Sequence, residues 1–130
     1  MMSIRNSVRE NPLVHLVLTT EDYVQAMTVD GRAWVAEVAG EVVGFSCGRL
    51  VQGDIWALFL RRAHEGKGIG RALMEIVEGW MFEEGVEEIW LVTAPGTRAE
   101  RLYQRRGWVQ QQMKESGEAE YRLARPPASR

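Results

Sequence analysis

The chain has 130 residues, room for one domain of ordinary size, and its 45% hydrophobic and 26% charged residues exclude a disordered or fibrous chain. A net charge of −2 argues against nucleic acid or a membrane surface as partner, and the single cysteine, Cys47, excludes an internal disulfide and fits a reducing cytoplasm. Apolar stretches such as 55–60 fall far short of the ~20 residues that span a bilayer, and the first residues do not read as a signal peptide.

The pattern predicts a short helix over 3–10, stopped by Asn11-Pro12, because proline disfavours helix in the residue before it. Thr20 is expected to cap a second helix over 21–27, with acids in its first turn. From Ala33 the period changes to two. Residues 33–39 and 42–50 read as strands joined by a hairpin at Gly40-Glu41, and Gln52-Gly53-Asp54 turns the chain into a third strand over 55–61. A glycine-rich loop follows, then a helix whose Ile69, Leu73, Ile76, Val77 and Trp80 share one stripe until Gly85 ends it. Residues 86–94 form a near-continuously apolar strand, 98–106 a second helix stopped by Gly107, and 108–113 with 119–124 a closing hairpin. Strand, loop, helix and strand over 55–94 make a right-handed parallel crossover. The class is mixed α/β, with one domain over 1–125 and a frayed tail at 126–130.

Charge is unevenly spread. Residues 61–71 and 98–106 each balance at +3, whereas 75–88 carries six carboxylates and no cation. Two short basic segments in an acidic chain point to an anionic ligand of limited size. Glu65-Gly66-Lys67-Gly68-Ile69-Gly70-Arg71 lies between a strand and an amphipathic helix, where alternate glycines let backbone N–H groups and the helix N-terminus converge on one anion. The Walker pattern fails because Gly66-Lys67 is followed by Gly68. The dinucleotide pattern fails on glycine spacing and on the missing acid after Thr93-Ala94-Pro95.

This loop resembles the acyl-CoA loop of the GCN5-related N-acetyltransferases, written Arg/Gln-x-x-Gly-x-Gly/Ala, with Glu65 in place of the first residue. Downstream, Ala99-Glu100-Arg101-Leu102-Tyr103-Gln104-Arg105-Arg106-Gly107-Trp108 resembles the family's Ala-x-x-Leu-Tyr-x-x-x-Gly-Phe signature. The resemblance runs over about 33–123 and extends, through 7–11 and 20–23, to a bacterial branch of unassigned acetyltransferases. It implies a twisted mixed sheet of about six strands flanked by helices, here expected to lack the usual first strand. The edge at 33–39 would then be bare and open to pairing with a second copy of the chain.

The resemblance further implies acetyl-CoA as co-substrate, no metal, and a small-molecule or protein amine as acceptor. Backbone groups of Leu58, Phe59 and Leu60 would pair with the pantetheine arm. The loop from Glu65 through Gly66, Lys67, Gly68, Ile69 and Gly70 to Arg71 would hold the pyrophosphate, with Arg61, Arg62 and Lys67 toward the outer phosphates. Gly96, three residues before Ala99, stands where the family usually has asparagine, and both positions are expected at the cofactor. Tyr103 would protonate the departing thiolate; a phenol near pKa ~10 suits a thiol near ~8.5. Asp54 and Glu10 are the candidate bases, with an ordered water as the other route. Val8, Glu10, Asn11, Tyr23 and Trp56 would frame the acceptor. The alternative is a non-catalytic acyl-CoA-binding sensor or remnant.

Overall fold

A computed structural model of the chain describes residues 4–11, 16–21 and 31–127, with side chains from residue 31 onward. One sheet of eight strands runs in the order β1-β2-β3-β4-β5-β6-β8-β7. The strands are β1 (Ile4–Asn11), β2 (Leu16–Glu21), β3 (Gly31–Val38), β4 (Glu41–Arg49), β5 (Asp54–Leu60), β6 (Glu88–Thr93), β7 (Val109–Met113) and β8 (Ala119–Ala124). Two helices complete it, α1 (Ile69–Glu83) and α2 (Arg98–Arg105).

The six strands from Gly31 onward are the ones expected, with boundaries moved by one or two residues. The N-terminal reading is corrected. Residues 4–10 are strand, not helix, and Thr20 and Glu21 close β2 instead of opening a helix; residues 22–27 of the expected second helix lie outside the described residues. Ile4 and Val8 are four apart, a spacing that serves a helix face and a strand face equally. Antiparallel pairing decides between them, because β1 lies on β2 (Glu10 opposite Val17) and β2 lies on β3 from Leu16↔Val38 to Glu21↔Ala33. The edge of β3 is therefore covered, not bare, and the reason for a dimer through it is gone.

The parallel crossover is present: β5 and β6 run parallel, with α1 between them in sequence. Helix α1 lies across β3, β4 and β5 and buries Ile69, Leu73, Met74, Val77 and Met81 against Trp34, Val43, Ile55, Ile89 and Leu91. Packing is closest at glycines of β4. A Cβ on Gly44 would stand 2.7 Å from the Phe59 carbonyl oxygen and 3.1 Å from Leu60 Cδ1. The backbone oxygen cannot yield as a side chain could. Gly44→Ala is expected to destabilise the fold by about 1–3 kcal/mol, read as a lower denaturation midpoint at unchanged slope. A midpoint equal to wild type would mean that β4 and β5 separate freely there.

Candidate active site

Strand β5 is anchored to β6 at one point. Asp54 faces Trp90, the Trp90 amide donates to the Gly53 carbonyl (3.1 Å), and the Trp90 indole donates to the Gln52 carbonyl (2.9 Å). Beyond that rung the two strands diverge, while β5 stays paired with β4 as far as Leu60↔Gly44. A bulge adds to the divergence: Gly48 opposes Ile55 and Cys47 opposes Ala57, which leaves Trp56 without a partner on β4. Bulges bend the strand and re-aim the extra side chain. Trp56 is accordingly 48% exposed, with the Arg49 guanidinium 5.8 Å from its ring.

After β5 a 3-10 turn (Arg62–His64) leads into the glycine loop. Gly66 (φ 81°) and Gly68 (φ 86°) both take left-handed backbone, where a Cβ is strongly disfavoured. Gly68 caps α1 with no side-chain hydrogen bond, and the first amide to close onto it is that of Ala72. The amides of Ile69, Gly70 and Arg71 precede the first i−4 carbonyl and have no partner within the helix. Gly70 lets α2 approach: a Cβ there would lie 3.3 Å from Leu102 Cδ2.

A cleft of about 760 Å³ results, lined by Leu58, Phe59 and Leu60 of β5, by Glu65, Gly66, Gly68, Gly70 and Arg71 of the loop and α1, and by Arg98, Ala99, Leu102, Arg105 and Arg106 of α2. Its size suits a small-molecule site. Strand backbone and apolar side chains line one part, free amides and arginines the other. Arg98 pairs with Glu65 across the loop (Nε–Oε1 3.1 Å), so Glu65 does not present the isolated negative charge that its place in the motif suggests. Arg106 is held by Glu78 on α1, at 2.6 and 3.0 Å. Arg71 and Arg105 make no ion pair among the described residues.

Nine of the residues expected at the cofactor line this cleft: Leu58, Phe59, Leu60, Glu65, Gly66, Gly68, Gly70, Arg71 and Ala99. Arg61, Arg62, Lys67, Ile69, Gly96 and Tyr103 do not. Arg61 is engaged with β4, its amide on the Val43 carbonyl and its Nε on that of Val42, and Lys67 Nζ lies 3.5 Å from His64 Nδ1. The Ile69 side chain is fully buried, so only its amide is available to a ligand. Gly96, with φ 78°, serves the fold: its amide donates to Glu100 Oε1 (2.7 Å) while Thr97 caps α2 through the Glu100 amide. That bond, and after it the Tyr121 hydroxyl (2.7 Å), hold the Glu100 carboxyl below its usual range.

Tyr103 lies one turn beyond Ala99 and is 5% exposed, its ring against Trp108 and Tyr121. Burial pushes its phenol up to about 12. Among the described residues no hydrogen bond holds its hydroxyl, and none of their buried side-chain polar atoms lacks a partner, so the hydroxyl reaches accessible space. Asp54 is buried at the far end of β5 in a two-point bond with Arg49 (2.9 and 2.8 Å) and does not line the cleft. The helix expected to bring Val8, Glu10 and Asn11 over the acceptor is instead β1, four strand positions from β5 or about 19 Å away. Tyr23 lies outside the described residues. Sequence reasoning missed Arg98, Leu102, Arg105 and Arg106 as cleft residues. The signal was present in the i, i+4, i+7 spacing of Arg98, Leu102 and Arg105, which puts them on one face of α2.

Comparison with known proteins agrees with this geometry. The model of the Acetyltransferase (GNAT) family matches residues 3–108. N-acetyltransferase family 8 member 2 of Rattus norvegicus is 32% identical over 100 residues, covering 71% of this chain and 43% of the rat protein. The PaiA N-acetyltransferase of Thermoplasma acidophilum, solved in complex with coenzyme A, superposes with a TM-score of 0.67 at 17% identity, over 75% of this chain and 62% of that one. A Bacillus anthracis protein solved in complex with acetyl coenzyme A gives 0.65 at 15% identity, over 76% and 65%. The chain thus spans under half of the rat relative and under two thirds of the Thermoplasma protein. The two superpositions establish the fold and the family match reaches from β1 to Trp108, through the glycine loop and α2: the chain belongs to the GNAT acetyltransferase family.

Proposed function

We propose that the chain transfers an acetyl group from acetyl-CoA to a primary amine of a small molecule or protein, in the cytoplasm. The observation that carries the reading is the cleft between diverging β5 and α2, with unpartnered amides at one end and an open strand edge along one side. This donor set fits the cofactor. The amides of Ile69, Gly70 and Arg71 suit a pyrophosphate at a helix N-terminus, and the backbone of Leu58 and Leu60 suits the amides of pantetheine. When bound, acetyl-CoA supplies an activated acyl group.

Tyr103 is the proposed general acid, giving its hydroxyl proton to the departing sulfur. A phenol near 12 is fully protonated at neutral pH and holds its proton until negative charge develops beside it. Asp54 is locked to Arg49, so the amine's proton leaves through water in this reading. Trp56, turned outward by the bulge although it does not line the cleft, is the residue of β5 proposed to meet the acceptor.

The test is calorimetric titration with acetyl-CoA, with ATP and NADH as controls, followed by thiol release against a panel of amines. CoA-selective binding with amine-dependent thiol release supports the proposal. No binding at millimolar acetyl-CoA would overturn it. Selective binding with no release for any amine would favour the acyl-CoA-binding module.

A further inference from the structure

We propose that Arg98 is a ligand for the CoA pyrophosphate, held ready by Glu65 and handed over when the phosphate arrives. The inference rests on the CoA reading of the cleft and goes beyond it, because neither the glycine loop nor the Tyr103 signature assigns Arg98 a role.

Arg98 opens α2 and Glu65 opens the glycine loop, so their 3.1 Å ion pair bridges two walls of the cleft. The guanidinium also stands over the loop itself, with Nη1 3.8 Å from where a Cβ of Gly66 would project. Its side chain is 55% exposed, and that of Glu65 32%. Exposed pairs are held weakly. A guanidinium has five N–H donors in a planar fork that matches a phosphate as well as a carboxylate, and the recorded contact engages Nε. A dianionic pyrophosphate on the loop amides would therefore compete with Glu65 for the same group and win on charge. Glu65 holds the cation over the loop beforehand, and its carboxylate opposes the incoming anion.

Opposite signs follow from this arrangement. Glu65→Gln removes the competitor and the repulsion, and is expected to tighten CoA binding about threefold or more. Arg98→Ala is expected to weaken it about tenfold. The loss should shrink at high salt, and should be equally large for 3′-dephospho-CoA, which keeps the pyrophosphate.

The experiment is calorimetric titration of the full chain and of the Glu65→Gln, Arg98→Ala and doubly substituted chains with CoA and with 3′-dephospho-CoA, at low and high salt. In the double variant the gain from Glu65→Gln should fall, since no guanidinium is left to release. If Glu65→Gln weakens binding or leaves it unchanged, the pair is a structural clamp and the proposal fails. If the Arg98→Ala loss disappears with 3′-dephospho-CoA, the assignment to the pyrophosphate fails. Should Arg98→Ala not fold, Arg98→Gln replaces it, and the sign of the Glu65→Gln effect decides independently. A wild-type chain that binds no CoA overturns the reading of the cleft together with this inference; CoA binding that neither substitution moves overturns only the inference.

Discussion

Glu78→Ala lowers the free energy of unfolding by about 3 kcal/mol, the largest single-residue loss expected outside the apolar core. The Glu78 side chain is 9% exposed and accepts from three donors: Arg106 Nε (3.0 Å), Arg106 Nη2 (2.6 Å) and the Trp108 indole (2.9 Å). One carboxylate thus ties α1 to the end of α2 and to the start of β7. Alanine at 78 would leave a guanidinium with 19% exposure short of its partner and a largely buried indole N–H without an acceptor. Removing one member of such a pair costs far more than the pair contributes, because the remaining charge keeps its desolvation penalty. Urea or thermal unfolding measures it. Glu78→Gln should recover part of the loss, since an amide oxygen can still accept from the indole. A loss under about 1 kcal/mol for Glu78→Ala would show that Arg106 reaches solvent without strain.

Tyr103→Phe should slow acetyl transfer about 10²-fold or more while leaving the affinity for CoA within twofold. The two rings pack alike against Trp108 and Tyr121, so the substitution removes the hydroxyl and little else. Equal turnover in the variant would remove Tyr103 from the chemistry. The pH profile offers a second reading. Because burial lifts this phenol from 10.0 to about 12, activity that depends on its proton should persist past pH 10 and fall only as pH approaches 12. Stability follows the same shift with a definite sign. The unfolded chain gives up the proton near 10 and the folded chain near 12, so the contribution is complete below pH 10 and is lost as pH rises through 12. Two pKa units correspond to roughly 2–3 kcal/mol, and the Phe variant should lack that alkaline component.

The sheet from β3 to β8 was legible because its turns are punctuated by glycines that must take positive φ. Gly40, Gly53, Gly85, Gly107 and Gly117 all do so, and alternation between them leaves little freedom in register. The N-terminal strands were not legible. Ile4 and Val8 satisfy both periods, and only the partner strand resolves the ambiguity. At the site, the glycine loop could be read from its letters because its chemistry lies in the backbone. The α2 wall could not be read as readily, since the signature draws the eye to Ala99 and Tyr103. In the structure Tyr103 turns toward Trp108 and Tyr121, and Arg98, Leu102 and Arg105 take the cleft. The part played by Glu65 could not be read either, because its partner, Arg98, lies 33 residues away in sequence.

The single rung between Asp54 and Trp90 also divides the sheet mechanically. On one side, β1 to β5 form a continuous antiparallel ribbon; on the other, β6 and β8 share six paired positions and carry β7. The two blocks meet at one seam, where apolar side chains from both pack under α1. No further ladder pairing between β5 and β6 fixes the width of the gap at Leu58–Leu60. The gauge of the groove is then set by how α1 and α2 pack, so substitutions remote from any ligand, Glu78 among them, can retune it.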